Sequence, residues 1–600
     1  MIYVPLLHSF TLAYSISYAL AQSAPLPYML KTSDKLYGPD GPWQAVQVQI
    51  GSNFAALDLY PGGAYGSPIL SNELCSGVSA ACGAGGLFDP SSSTTFDNTS
   101  ITFGKVSNSA NVDWTNGAMR YEGSSTMVMD DLTLLAGESA VSGSQTARNL
   151  SIVLVSKATM TYPDGSKYPL QVGQLALGAP SVNQSFSQPN GVAVNASLLP
   201  GYLWAQKAIP SSSYGLHIGS AALHLPLSLW LGGYDKSRVL GSVSSQPCTN
   251  SALNIDLLDI GIGVDNGASP FPYPARQGIL SDGNSSISNS IPMSVVPAAP
   301  YIYLPKSTCD AIAKDLPVTF NPKYGLYFWN IQDPRYRQIV TSPSYLSFTF
   351  TASGGTNGGN ITVKVPFQLL NLTLDTPLIS TPTSYFPCQP PQLATGNPLY
   401  TLGRAFLQAA TIGVNWNQGQ GQWFLAQAPG PHTASSPVQV NFADTIESST
   451  NAWADTWSKN WTPIPHNSIP SGPNSTTGTN TSGTQPNSST QPTSSANSTS
   501  SGLTTGSKAG IGAGIGCAGI FVGLLGVYFY HRRSRNGQVS GSSSQQEGLV
   551  DLKPLSQQPE ASMTGRNPAG TPLYEVAGHS PVEMYSDGQP AHELGPGQPR

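Results

Sequence analysis

Side chains that could do chemistry are sparse in this 600-residue sequence. Only 10% of its residues are charged, and its eight His and six Cys are scattered along the chain. The sequence has no G-x-S-x-G, P-loop, H-E-x-x-H or C-x-x-C pattern, which are arrangements that position a serine nucleophile, a phosphate or a metal ion. His217 and His224 stand in strand-like segments and are interpreted as structural residues. We therefore expect no metal site and no cofactor.

The cysteines are typical of an oxidising compartment. Cys75 and Cys82 are close enough to bridge a small loop, which would contribute about 2–3 kcal/mol. Cys309 and Cys388 are the next candidate pair. Cys248 is left without an assigned partner, so its pairing with Cys309 or Cys388 remains an alternative.

Strand patterns dominate the region from about residue 35 to residue 450. Val46, Val48 and Ile50 alternate with glutamines, and this period of two is typical of a half-buried strand. Segments 347–350 and 361–365 repeat the alternation, and one short helix is predicted over 307–315. The net charge of −5 leaves no basic surface for a nucleic acid.

Several segments, in order along the chain, resemble the pepsin-like aspartic peptidases. The resemblance extends over about residues 40–430 and is specific because of the order of its segments. It implies an all-β, bilobal pepsin-like fold, with lobes of about 35–240 and 241–450 and an active cleft between them. The matching segments are WQAVQVQIG at 43–51, LD at 57–58, the cysteines at 75 and 82, FDPSSSTTF at 88–96, NG at 116–117, LGGYD at 231–235, YIYLP at 301–305, LGRAFL at 402–407, GV at 413–414 and FLA at 424–426.

The catalytic loops depart from the family pattern. In the family, each lobe supplies one carboxylate from a D-[TS]-G-[ST] loop; one acts as a base on water and the other polarises the peptide carbonyl. Here Asp58 matches the first carboxylate, but Leu59 and Tyr60 replace the hydroxyl residue and the glycine. Val296 stands at the second position, and Trp114 replaces the tyrosine of the flap. The resemblance therefore implies an incomplete catalytic pair in which Asp58 is vestigial.

Both ends of the chain carry membrane-related patterns. Residues 1–21 are predicted as a signal peptide. Residues 509–530 are 22 residues without a charge, long enough for a transmembrane helix, and the basic residues at 531–535 place the C-terminus in the cytoplasm. A Ser/Thr-rich glycosylated stalk is predicted over 451–508 and a disordered cytoplasmic tail over 531–600. These patterns predict a single-pass type I protein of the plasma membrane with an extracellular domain.

Glycosylation acceptors of the Asn-x-Ser/Thr type suit such a surface. They are Asn98, Asn149, Asn183, Asn195, Asn284, Asn360, Asn371, Asn460, Asn474, Asn480, Asn487 and Asn497.

The sequence thus predicts a cell-surface protein with a catalytically inactive pepsin-like domain. Its interlobe cleft would bind an extended peptide or a cell-surface ligand. One alternative is an active aspartic endopeptidase in which another carboxylate faces Asp58. A second alternative is a structural or adhesive protein, which a cleft plugged by Tyr60, Pro297 and Pro300 would favour.

Overall fold

The computed structural model describes residues 25–77, 82–98, 118–138, 143–187, 193–352, 359–392 and 400–466. The predicted signal peptide, membrane span and tail lie outside these residues, as do Trp114 and the four acceptors from Asn474 to Asn497. Within the described ranges, no helix combines the length and the apolar character that crossing a membrane requires.

The first half of the described chain is built mainly from strands. They are β1 (Tyr28–Met29), β2 (Thr32–Tyr37), β3 (Trp43–Ile50), β4 (Ala55–Pro61), β5 (Ser67–Leu70), β6 (Arg120–Leu134), β7 (Gln145–Thr161), β8 (Lys167–Pro169), β9 (Gly173–Leu175), β10 (Asn183–Ser187), β11 (Ala193–Ser197), β12 (Ser213–His217), β13 (Ser228–Leu231), β14 (Gly233–Asp235) and β15 (Leu240–Pro247). The α-helix in this half is α1 (Leu199–Ala205), and 3-10 turns occur at Asn72–Cys75, Pro90–Ser92, Ala221–Leu223 and Lys236–Arg238.

The second half of the described chain is also built mainly from strands. Its strands are β16 (Asn254–Val264), β17 (Ala275–Arg276), β18 (Ile291–Val295), β19 (Ile302–Tyr303), β20 (Val318–Asn321), β21 (Leu326–Trp329), β22 (Ser344–Thr351), β23 (Asn360–Pro366), β24 (Leu372–Leu374), β25 (Thr383–Phe386), β26 (Cys388–Gln389), β27 (Tyr400–Leu402), β28 (Ala410–Asn415), β29 (Gln422–Gln427) and β30 (Pro437–Gln439). Its helices are α2 (Lys306–Ala313), α3 (Pro334–Thr341), α4 (Arg404–Leu407) and α5 (Trp453–Trp457).

Each half has its own large sheet. Among the described residues, the first half forms a ten-stranded sheet with the path β10-β11-β7-β6-β3-β4-β9, in which β2 also pairs with β3, and β5 and β8 pair with β7. The second half forms an eight-stranded sheet with the path β23-β22-β16-β18-β27-β19-β26 and with β17 paired to β16. It also forms a four-stranded sheet, β20-β21-β25-β24. A six-stranded sheet, β1-β13-β12-β28-β29-β15, takes strands from both halves. The described chain is therefore mostly β-sheet with few helices, which is consistent with the predicted all-β bilobal architecture.

Local sequence explains the elements that were predicted from pattern. The alternating residues Val46, Val48 and Ile50 of β3 are fully buried, while the intervening glutamines are only partly covered. The helix predicted over 307–315 is α2, which begins one residue earlier and ends at Ala313. A period of two or of 3.6 residues places apolar side chains on one face, and that face packs on the core.

Two disulfides connect the predicted pairs. Cys75 bonds to Cys82, and Cys309 bonds to Cys388. Cys248 is a free, buried cysteine, so its alternative pairings do not occur. Burial raises the pKa of the Cys248 thiol to about 12, which makes this thiol unreactive at neutral pH.

The folded domain continues past residue 450, where the stalk was expected to begin. Trp453, Trp457 and Trp461 are spaced four residues apart from α5 onward, and the rings of Trp457 and Trp461 stack with centroids 5.2 Å apart. The Lys364 ammonium lies 4.8 Å from the centre of the Trp453 ring. Residues 451–466 thus belong to the folded domain rather than to the stalk, because three large indoles bury apolar area that a stalk would leave in water.

His217 is a buried structural residue, as interpreted from the sequence. Its side chain is 1% exposed, and its Nε2 lies 3.0 Å from the carbonyl oxygen of Gln408. Arg238 Nη1 donates to His217 Nδ1 at 3.4 Å, which requires the neutral imidazole. Burial and the Arg238 charge together lower the pKa of His217 to about 3.

We expect the free energy of unfolding to fall as the pH drops from about 6.5 towards 3, by up to about 1.4 kcal/mol per pH unit. The unfolded chain takes up a proton at His217 in this range, whereas the folded chain does so only near pH 3. Above about pH 6.5 both states carry a neutral imidazole, so the contribution is complete there. Urea unfolding of wild type, His217→Gln and the exposed control His224→Gln across this range measures the effect. Only His217→Gln should flatten the profile; equal slopes in all three proteins would refute the assignment.

Candidate functional site between the lobes

Two loops occupy equivalent positions in the two halves of the domain. Strand β4 runs parallel to β9, and the Gly62 N–H that follows β4 donates to the carbonyl oxygen of Leu175 at 3.0 Å. Strand β18 runs parallel to β27, and the Val296 N–H that follows it donates to the carbonyl oxygen of Leu402 at 3.0 Å. The matching pairings make Gly62 the counterpart of Val296.

The two loops meet at the lobe interface. A Cβ atom added to Gly62 would lie 3.0 Å from Cβ of Pro297, so the first loop touches the second with no room for a side chain. Gly62 has φ +143° and Gly63 has φ +84°, both on the positive side that only glycine adopts without strain. Neither position that faces the other lobe carries a carboxylate.

Asp58 lies elsewhere. It sits in β4 opposite Gln47, four residues before Gly62, which corresponds to roughly 13 Å along an extended strand. Ser33 Oγ donates to Asp58 Oδ2 at 2.7 Å, and the Tyr37 hydroxyl donates to the same oxygen. Oδ1 has no hydrogen-bond partner among the described residues, and the side chain is 6% exposed. Asp58 is therefore a buried carboxyl that accepts hydrogen bonds from two hydroxyl groups. It lies outside the loop that contacts Pro297.

A local signal could have located the first loop. Pro61-Gly62-Gly63 is a strong turn sequence, and it begins at the last residue of β4. Matching Asp58 to the family's aspartate placed the turn four residues too early. In the second loop, Val296 was counted back from the strand β19 segment across a turn at Pro297 and Ala298.

Arg404 occupies the interlobe space beside these loops. Its side chain is 6% exposed, and its Nη1 donates to the carbonyl oxygen of Ala298 at 2.8 Å. The guanidinium carbon lies 4.2 Å from the centre of the Tyr60 ring and 5.0 Å from that of Trp43. Trp43 Nε1 in turn donates to Asp40 Oδ1 at 3.0 Å. Burial raises the pKa of Asp40, and the positive charge of Arg404 opposes that rise.

Little space remains next to this cluster. A cavity of about 40 Å³ is lined by Tyr60, Tyr121, Tyr168 and Arg404, together with Gln174. That volume is close to the room one water molecule needs. On this side, aromatic rings and a guanidinium fill the interface between the lobes.

A larger cavity opens on the other side of the Gly62–Pro297 contact. Its volume is about 260 Å³, and its lining includes Gly63, Val296 and Pro297 from the two loops. Gln174 lines both cavities and so marks the boundary between them. The described residues contain no group of three or more His, Cys, Asp or Glu side chains that could hold a metal ion.

The glycosylation acceptors divide by exposure. Asn284, Asn371 and Asn460 are partly buried. The exposed acceptors among the described residues are Asn98, Asn149, Asn183, Asn195 and Asn360.

Comparisons with known proteins find solved structures that resemble this chain. No protein-family model matches the chain, and no curated protein matches it. A solved structure similar to it is the crystal structure of an aspartic proteinase from Irpex lacteus, with a TM-score of 0.41 and 16% sequence identity. The match covers 67% of this chain and 97% of that chain.

Proposed function

We propose that this chain is a single-pass cell-surface protein whose pepsin-like domain has lost peptidase activity and serves as a binding module. The observation that carries the proposal is the equivalence of Gly62 and Val296. Neither residue can act as the base that activates water or as the acid that polarises a carbonyl.

The surroundings support a site without acid–base chemistry. The hydrogen-bond partners of the Asp58 carboxyl in the described chain are the hydroxyls of Ser33 and Tyr37. A dyad would need a second carboxyl within hydrogen-bonding reach of the first. Beside the loops, the Arg404 cation cannot take a proton from water, and the buried Asp40 carboxyl accepts its side-chain hydrogen bond from the Trp43 indole rather than from a second carboxyl.

The test is incubation of the purified full chain with a denatured protein substrate between pH 3 and pH 6. We expect no cleavage above the buffer blank and no difference between wild type and Asp58→Ala, while pepsin as a positive control digests the substrate. Points near pH 5 are essential, because protonation of His217 in the unfolded chain weakens the fold at lower pH. Cleavage that pepstatin blocks and Asp58→Ala abolishes would overturn the proposal.

The membrane arrangement is tested separately in cells. An antibody against 25–466 should label intact cells, and one against 531–600 should label them only after permeabilisation. Labelling of intact cells by the second antibody would contradict the proposed orientation.

A structural or adhesive role is the second candidate. The filled space around Tyr60 and Arg404 favours it, because that half of the interface has no room for a ligand. The larger cavity beside Gly63 favours binding instead, and we rank binding first for that reason.

A further inference from the structure

The larger interlobe cavity has a lining of mixed aromatic and polar groups. Tyr65, Tyr214 and Trp416 supply aromatic surface, and Asn250 and Gln174 supply amides. No charged side chain is among the described residues that line it. A ligand that carries a net charge would therefore lose its hydration without gaining a counter-charge.

Gln174 has unused hydrogen-bonding capacity at this cavity. Its side chain is 2% exposed, yet neither Nε2 nor Oε1 has a hydrogen-bond partner within the described part of the chain. A Cβ atom on Gly63 would lie 2.7 Å from Gln174 Nε2, so the glycine makes the room that the amide occupies. Buried polar groups are normally paired, and an unpaired donor and acceptor on one amide invite a ligand that offers both.

Two backbone segments with left-handed residues, one from each half, border the same cavity. Tyr65, Asn250 and Ser251 all have positive φ angles, of 62°, 51° and 62°, and all three line it. Ser251 Oγ donates to the Tyr65 hydroxyl at 3.2 Å, which joins a residue from the first half to one from the second. Asn250 and Ser251 are the two central residues of the tight turn between Thr249 and Ala252, which needs a positive φ at both positions. This turn fixes the edge of the cavity that belongs to the second half.

We propose that this cavity binds an uncharged sugar ring. This inference rests on the proposed function, since it names the ligand of the interlobe binding site. Sugar hydroxyls donate and accept at once and so match the free amide of Gln174. The apolar C–H faces of the ring would pack on the aromatic walls that Tyr65 and Trp416 provide.

The shape of the site favours a compact ligand over an extended peptide. A peptide that crossed the interface would have to pass Gln174 into the second cavity, which measures only about 40 Å³. The larger cavity, at about 260 Å³, offers space on one side of Gln174 alone.

Calorimetric titration of the full chain tests the proposal. The probes are glucose, galactose, mannose and N-acetylglucosamine, with acetyl-hexaalanine-amide as the peptide alternative. Gln174→Leu keeps the volume and removes both hydrogen-bonding groups, while Gln332→Leu makes the same change at an exposed position. We expect at least one sugar to bind saturably, with affinity at least tenfold weaker in Gln174→Leu and unchanged in Gln332→Leu.

Tyr65→Ala serves as a second variant, because Tyr65 is 41% exposed and its loss leaves the core intact. It should also weaken sugar binding by at least tenfold, even if Gln174→Leu fails to fold. Binding of none of the sugars, or equal binding by wild type and Tyr65→Ala, would overturn the sugar assignment. Binding of the peptide instead would overturn it as well and leave the proposed function standing. Peptidase activity in the separate digestion assay would refute the proposed function itself.

Discussion

Replacing Arg404 by alanine is expected to lower the free energy of unfolding by about 3–5 kcal/mol, the range found when one partner of a buried charge cluster is removed. The substitution takes away the guanidinium that packs on Tyr60 and Trp43. It also leaves the Ala298 carbonyl oxygen without its donor and raises the pKa of the buried Asp40 carboxyl further. Urea unfolding at pH 7 measures the change.

Two further variants separate the causes. Arg404→Lys keeps the positive charge but loses the planar group that stacks on the rings, so its loss should fall between those of wild type and Arg404→Ala. Arg335→Ala removes an exposed arginine that pairs with Asp333, and it should cost no more than about 1 kcal/mol. If Arg404→Ala were as mild as Arg335→Ala, Arg404 would not hold the two lobes together.

Removing the Cys309–Cys388 disulfide is expected to cost about 4–5 kcal/mol in the chain-entropy relation, because it closes a loop with a sequence separation of 79. The bridge joins α2 to β26 and encloses the four-stranded sheet between them. Urea unfolding of Cys309→Ala/Cys388→Ala against wild type, both under oxidising conditions, measures the loss.

The second disulfide provides the matched control. Cys75→Ala/Cys82→Ala opens a loop with a separation of only 7 residues, for which the same relation gives about 2.5 kcal/mol. Chain entropy therefore requires the larger loss in the Cys309/Cys388 variant. Equal losses, or a larger loss in the Cys75/Cys82 variant, would show that local packing and not loop length decides the contribution.

Sequence reasoning located features that depend on neighbours along the chain. The alternation in β3 and the short helix predicted over 307–315 are local features, and the structure has both elements. The two disulfide pairs were also correctly proposed, although only the structure excluded the alternatives that involve Cys248. The end of the domain was predicted too early, at residue 450. The average composition beyond that residue is typical of a stalk, although three tryptophans there pack together.

By itself, the sequence determined that the chain is rich in strands, that its cysteines pair within each half, and that no acid stands between Asp282 and Asp310, the segment that contains Val296. Tertiary structure alone decided that Gly62, not Asp58, is the counterpart of Val296, and that Arg404 reaches the Tyr60 ring. It also brought Gln174 over Gly63, although more than a hundred residues separate them along the chain. The physical reason is that strand pairing sets these positions, and the register between distant strands depends on the packing of the whole sheet.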